Sequence, residues 1–206
     1  SYGGLVFHDV TNLKFAAKAA EAGVDGLIAV TYGAGGHAGL ISPFAALHEI
    51  REIFDGTLLL GGAISTGRQI AAARLMGADM VYMGTRFMAT SESMAVERQR
   101  QMILDAKAAD VVYTPAVSGV PGNFLRASLA AAGKDPDDFT PPEKLNFGTG
   151  SSDVKAWRDL WAAGQGVGAI DDIPPVAMMI DRLRREYLGA AAVVSPDLDF
   201  TEARPV

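Results

Sequence analysis

The sequence predicts an α/β fold built on parallel strands, and three observations carry that expectation. Short continuous apolar runs alternate with segments of helical spacing, the pattern of strands covered on both faces by helices. The stretches "AAEAGVDGLIAV" (19–30) and "AARLMGADMVYM" (72–83) echo each other at an offset of 54 residues, as tandem strand–helix–strand–helix units would. Glycines gather after three of the apolar runs, in "TYGAGGHAG", "GGAISTG" and "GTRF". In parallel α/β folds the carboxyl ends of strands are where ligands bind.

Taken in order, strands are expected at 5–7, 27–30, 57–60 and 80–83, with helices at 13–22, 44–54 and 69–76 between them. Ser42-Pro43 is a helix start, with a hydroxyl cap followed by a residue that needs no amide hydrogen. Gly23 and Gly77 fall where a helix ends and the chain reverses, a left-handed position. Asp25 and Asp79, two residues on in each repeat, read as turn residues that bond nearby backbone. Residues 1–104 are therefore expected to form the βα units, and 105–188 a loop-rich and helical extension packed on them. In and around it, helices are expected at 91–104 (capped by "SES"), 125–132, 154–162 and from Pro174 or Pro175 to Tyr187. A flexible tail is expected over 189–206, where no periodicity is visible. Trp157 and Trp161, four apart, read as one apolar helix face, and "DRLRREY" as a solvated one.

The totals narrow the function classes. A net charge of −6 gives no electrostatic reason to expect nucleic acid or an anionic membrane as partner. The chain has no cysteine, so disulfides, thiolate metal sites and a cysteine nucleophile are excluded within it; no metal site is expected. No apolar run reaches the roughly 18 residues of a membrane span, and no signal segment opens the chain. A cytoplasmic location is compatible with all of this.

Three of the glycine clusters could do chemistry. "GGAISTGRQI" places glycines and hydroxyls just before a helix, a cradle in which backbone N–H groups approach an anion. "GTRF" at the next strand end could add a second donor pair and the Thr85 hydroxyl. Two adjacent strand ends sharing one phosphate match the site after the last two strands of a TIM barrel. The plainer alternative is a set of turn glycines with no ligand. In "GAGGHAG", His37 stands among bare neighbours that leave room for a planar ring. The same stretch fits G-x-G-x-x-G/A, but the helix start comes later, at Ser42, which argues against a dinucleotide fingerprint. His48 reads as a solvated helical residue, while His8 at a strand end is undecided.

With "GAGGHAG", "GGAISTG", "MGTRF" and "AGQGVG" in this order, the chain resembles the nitronate monooxygenase family (2-nitropropane dioxygenases), FMN enzymes on a TIM barrel. "VVYTPAVSGVPGNFLRASLAAAGKDPDD" and "KAWRDLWAAGQGVG" look closest to members reclassified as NADH:quinone reductases. The resemblance implies that the chain holds the C-terminal half of a TIM (β/α)8 barrel, strands five to eight, with a C-terminal helical extension. It implies His37 as the active-site histidine, with Gly35 and Gly36 along the flavin. Gly62, Ala63, Gly84 and Thr85 would be phosphate-binding positions, and Gln165 would lie in a loop approaching the flavin. The implied activity is FMN-dependent oxidation of alkyl nitronates by dioxygen to carbonyl compounds and nitrite; the alternative is NADH:quinone reduction, with NADH as co-substrate. A non-catalytic phosphate-ligand binder or associating barrel fragment is the alternative of another class. Partners would be a small-molecule substrate and either a second copy or a missing N-terminal half-barrel. An inosinate-type dehydrogenase on the same fold would need a cysteine that the chain lacks.

Overall fold

The computed structural model describes residues 3–143, 145 and 158–194. Its core is a four-stranded, all-parallel sheet in the order β1 (Phe7–Val10), β2 (Gly26–Val30), β4 (Thr57–Gly61), β5 (Met80–Tyr82). Helices α1 (Leu13–Glu21), α2 (Pro43–Arg51) and α3 (Gly67–Leu75) make the crossovers. Each helix starts where a side chain caps it: Asn12 accepts from Phe15 N, Ser42 from Ala45 N, and Thr66 forms a reciprocal capping box with Gln69. Pro43 occupies the first turn of α2, as the sequence indicates. Gly23 and Gly77 have φ of +79° and +99° and end their helices in the left-handed conformation.

The first strand begins later than expected: Leu5 and Val6 are 69% and 56% exposed and precede it. Burial on both faces also fails for the two outer strands. β2 and β4 carry Leu27, Ala29, Leu58 and Leu60 into the core with Leu47, Ile50 and Ala73 of the helices, whereas β5 leaves Met80 and Tyr82 exposed. An outer strand has only one neighbour to share burial with, and β1 and β5 each pair on one side.

The internal echo has an atomic counterpart. Asp25 N and Asp79 N donate to Val6 O and Leu58 O, and the two carboxylates accept from Val6 N and Leu58 N at 2.7 and 2.9 Å. Each aspartate is thus a clip across the amino-terminal ends of two adjacent strands, a longer reach than the local turn expected of it. Asp79 also receives Arg51, whose guanidinium caps Gly77 O and Gly56 O as well. Partial burial pushes the Asp79 carboxyl up, but the Leu58 amide and Arg51 outweigh it and hold the pKa below its ordinary 3.8. A depressed folded-state pKa stabilises the fold above the unfolded value and loses that stabilisation as pH falls through the folded one. Asp79→Asn is expected to cost about 1 kcal/mol at neutral pH and to flatten the acid limb of the stability profile below about pH 4; urea melts across pH 3–7 would read both.

The extension contains an element that the sequence reading missed. β6 (Val111–Thr114) and β7 (Gly122–Leu125) pair antiparallel, and β7 pairs in turn with β3 (Gly36–His37), giving a small sheet in the order β3-β7-β6. The glycine loop carrying His37 is therefore a strand of a second sheet rather than an open turn. Further helices are α4 (Thr85–Met88), α5 (Glu97–Asp105), α6 (Arg126–Ala131) and α7 (Val176–Val194). α5 starts six residues later than expected and has no side-chain cap. Glu92 of "SES" instead accepts from Val176 N, at the start of α7. α7 continues past Tyr187 through Val194, so the first residues assigned to a tail are helical. The helix expected at 154–162 falls partly outside the described residues; its described end, 158–162, is a turn and a bridge to Phe124. Trp157 lies outside them too, while Trp161 packs against a cluster containing Ala89, Ile103 and Val167. His48 is exposed beside Glu52 on α2, as read.

Candidate functional site

A cavity of about 320 Å³ opens at the carboxyl ends of the parallel strands, within the size range of small-ligand sites. Its wall brings together seven of the eight residues singled out above: Gly35, Gly36, His37, Gly62, Ala63, Gly84 and Thr85. Asp9, Ser65, Tyr82, Met83, Met88, Ala162, Gly164 and Gly166 join them. Gln165 does not line the cavity. Its N–H donates to Gly33 O at 2.8 Å, so it fastens the loop whose neighbours, Gly164 and Gly166, form the wall.

The site is assembled by three glycine-bearing segments stacked backbone on backbone. Gly33 O accepts from both Ala63 N (3.3 Å) and Gln165 N, and Thr85 Oγ1 accepts from Gly164 N at 2.9 Å. A methyl group at Gly164 would lie 2.7 Å from Gly33 O, and one at Gly166 would lie 2.5 Å from Ser65 Oγ. These segments can meet this closely only without side chains.

The chain end of β4 departs from the expected cradle. Ser65 N and Thr66 N both go to Gln69 Oε1, and Gly67 N goes to the Glu186 carboxylate of α7 at 2.7 Å. The amino terminus of α3 is thus already served by an acidic side chain and a capping box. The Ala63 N–H is also committed, to Gly33, which corrects the expectation that both amides of the Gly62–Ala63 pair face an anion. α4 differs: Gly84 caps it without any side-chain hydrogen bond; Phe87 N and Met88 N donate to Gly84 O, which leaves the Thr85 and Arg86 amides as those with no partner within the helix. Ala63 is the one non-glycine with positive φ among the described residues, at +54°. That conformation is costly for an L side chain, so Ala63→Gly is expected to stabilise the protein by about 0.5–1 kcal/mol after the glycine's larger unfolded-state entropy is counted. Chemical denaturation of the two forms measures it.

His37 forms part of the wall and is half-buried; its Nε2 lies 3.1 Å from Ser118 Oγ. Ser118 is fully buried and also bonds Val120 O. It sits in the β6–β7 connection, so the extension sets the ring's orientation. Burial disfavours the imidazolium and lowers the His37 pKa from its ordinary 6.5. Among the described residues no arginine or lysine lines the cavity, and Asp9 is the one carboxylate that does. Arg86, the cation nearest in sequence to the Gly84–Thr85 wall, points away from it: it is buried and bonds Ala89 O, Asp172 O and the Asp172 carboxylate. Among the described residues no cluster of side chains is arranged to hold a metal ion, and no helix is long and apolar enough to cross a membrane.

Sequence reasoning missed Ser118 and Asp9; Ser65 is one of the hydroxyls of the cradle read before α3, and it lines the cavity. Ser118 lies in a Pro- and Gly-rich stretch read as loop; "VVYT", a β-branched and aromatic run, was the available signal that a strand precedes it.

A parallel α/β unit with a glycine-walled cavity at its strand ends and an imidazole in the wall is a small-ligand site of the kind used by cofactor-dependent enzymes. The chain belongs to the nitronate monooxygenase family, whose profile matches residues 2–186. It is 29% identical over 194 residues to a nitronate monooxygenase of Paraburkholderia phytofirmans, covering 85% of this chain and 52% of that protein. Among solved structures it is similar to FabK from Thermotoga maritima, with a TM-score of 0.76 at 26% identity over 95% of this chain and 65% of that one. It is also similar to nitroalkane oxidase from Streptomyces ansochromogenes, with a TM-score of 0.72 at 26% identity over 94% and 60%. The chain spans about half the length of the curated relatives it matches.

Proposed function

We propose that this chain is the C-terminal half of a (β/α)8 barrel and forms the flavin-binding half of an FMN-dependent oxidoreductase that oxidises alkyl nitronates with dioxygen to carbonyl compounds and nitrite. The observation that carries the reading is the cavity itself, which gathers His37 and the glycine-rich ends of β4 and β5 around one concavity. Family membership supports the reaction class, and the outer edges of β1 and β5, unpaired among the described residues, support a barrel that continues on both sides.

The residues present fit a flavin nucleotide. The wall beside β3 is built of Ala34, Gly35 and Gly36, flat enough to lie along a planar ring. The uncapped first turn of α4, at Gly84 and Thr85, with Gly62 opposite, would hold the phosphate. This corresponds to the short extra helix that completes phosphate sites in such barrels. FMN bound there supplies the electron-transfer chemistry, while the protein supplies position and electrostatics. His37, kept neutral by burial, would accept the substrate's α-proton or orient its nitro oxygens. Gly164 and Gly166 would close the cavity from the extension side.

A second reading, NADH:quinone reduction, draws on the pairing of His37 Nε2 with Ser118, which suits a ring that orients a substrate. One experiment separates the readings. Purified protein showing visible flavin absorbance and releasing nitrite from propionate 3-nitronate in air supports the first. Bleaching of that absorbance by NADH without oxygen, and no nitrite, supports the second. Colourless protein that takes up no flavin would overturn both and leave a barrel fragment without cofactor.

A further inference from the structure

The loop that carries His37 is gripped at both ends by one hairpin. Asn123 of β7 donates from Nδ2 to Ala34 O at 2.7 Å, and the Tyr113 hydroxyl of β6 donates to Ala38 O at 3.0 Å. Between these two bonds β7 pairs with Gly36 and His37. A methyl group at Gly122, opposite His37, would lie 2.7 Å from Gly36 O, so the hairpin is pressed against the loop. Asn123 is fully buried, and its Oδ1 has no hydrogen-bond partner among the described residues. A half-satisfied buried amide is expensive, and a leucine, with the same branching, would avoid that cost. What a leucine cannot supply is a donor for Ala34 O. Burial pushes the Tyr113 phenol above its ordinary 10, so its hydroxyl keeps its proton and remains a donor at neutral pH. The loop needs such outside support, because Gly33, Gly35, Gly36 and Gly39 give its backbone little stiffness of its own.

We propose that Asn123 and Tyr113 are positioning residues that hold the two ends of the His37 loop, at Ala34 and Ala38, and thereby fix the imidazole in the cavity wall. This rests on the reading of His37 given above and deepens it by assigning two side chains of the extension to the placement of the ring. Ser118 touches the ring itself, whereas Asn123 and Tyr113 hold the backbone that carries it. Neither of the two lines the cavity, so their effect reaches the site through the loop.

The test compares wild type, Tyr113→Phe and Asn123→Leu in two measurements. The first needs no flavin: the three histidines of the apoprotein are titrated by NMR. His37 is expected to move from its lowered pKa back towards 6.5 in both variants as the ring gains water, with the signals of the other two histidines unmoved. The second follows turnover of the flavin-loaded protein. For a neutral nitroalkane kcat/KM should fall about 5-fold in Tyr113→Phe, the worth of one hydrogen bond. It should fall about 10-fold or more in Asn123→Leu, since small misplacements of a reacting group are costly. A preformed nitronate, which needs no proton removed, should lose less, and FMN affinity should hold. His37 titrating as in wild type in both variants overturns the assignment. So does an equal loss on both substrates with weakened FMN binding, which would make the hairpin a support for the fold alone. Should Asn123→Leu fail to fold, Tyr113→Phe decides, since it removes a single oxygen. A wild type that takes up no flavin overturns the flavin reading, and the titration still decides the positioning. A flavin-loaded wild type whose variants leave His37 unmoved overturns the positioning alone.

Discussion

Arg86→Ala is expected to cost about 2–4 kcal/mol of folding free energy, from the buried carbonyls left without a donor and the space left empty. Arg86 is 3% exposed and reaches Ala89 O, Asp172 O and Asp172 Oδ1 at 3.1 to 3.2 Å, with Met179 Sδ against its Nε. Truncation would strand two carbonyls and open a hole between α4 and α7. Asp172 would keep Arg182, so the carboxylate itself would not be left uncompensated. Arg86→Met, which preserves much of the volume and the contact with Met179, should therefore cost clearly less than Arg86→Ala. Urea unfolding of the two variants measures the difference. Because Arg86 lies one residue beyond Thr85, the alanine variant should also lose flavin affinity. Equal stability of all three proteins would mean that the α4–α7 junction contributes nothing.

His37→Asn is expected to lower turnover with a nitronate-forming nitroalkane by about 10²–10⁴-fold, the range of general-base assistance, while leaving flavin binding largely intact. The pH dependence carries a sign. Burial lowers the His37 pKa below 6.5, so the neutral ring persists to more acidic pH than that of an exposed histidine. A profile of kcat/KM for the neutral nitroalkane should be flat above pH 6.5 and fall on the acid side of that value. With a preformed nitronate no proton need be removed, and the loss in His37→Asn should shrink. An identical loss on both substrates would make the ring an orienting group. Ser118→Ala, which removes the partner of Nε2, should reproduce part of that loss if the ring's placement matters.

Much of the parallel unit was legible in the sequence because its signals are local. Helix starts are written in single residues, Asn12, Ser42 and Thr66, and helix ends in Gly23 and Gly77, whose backbone conformations other residues avoid. The strands are short, continuous apolar runs with little else they could be. The cavity was legible for the same reason, since the ends of three such runs must lie side by side once the strands are parallel. What was hidden depends on contacts remote in sequence. β3 is two residues long and exists only because β7, some 85 positions later, lies beside it; no periodicity spans two residues. The commitment of the α3 amides to Glu186, 119 residues away, is equally invisible, and it moves the open donors from α3 to α4. Ser118 is a plain serine in sequence and acquires meaning only from its burial beside His37.

The paired aspartate clips have a consequence for what this architecture tolerates. Asp25 and Asp79 fasten β1 to β2 and β4 to β5 at the end of the sheet opposite the cavity, so the two outer pairs are secured from below, while the central β2–β4 pair is held by its ladder. Changes in the rim loops are then expected to disturb the two outer strand pairs less than the central one, whose upper end is tied by Thr31 to Gly61 O. New chemistry could be grafted onto the rim of this unit while the base continues to hold it upright.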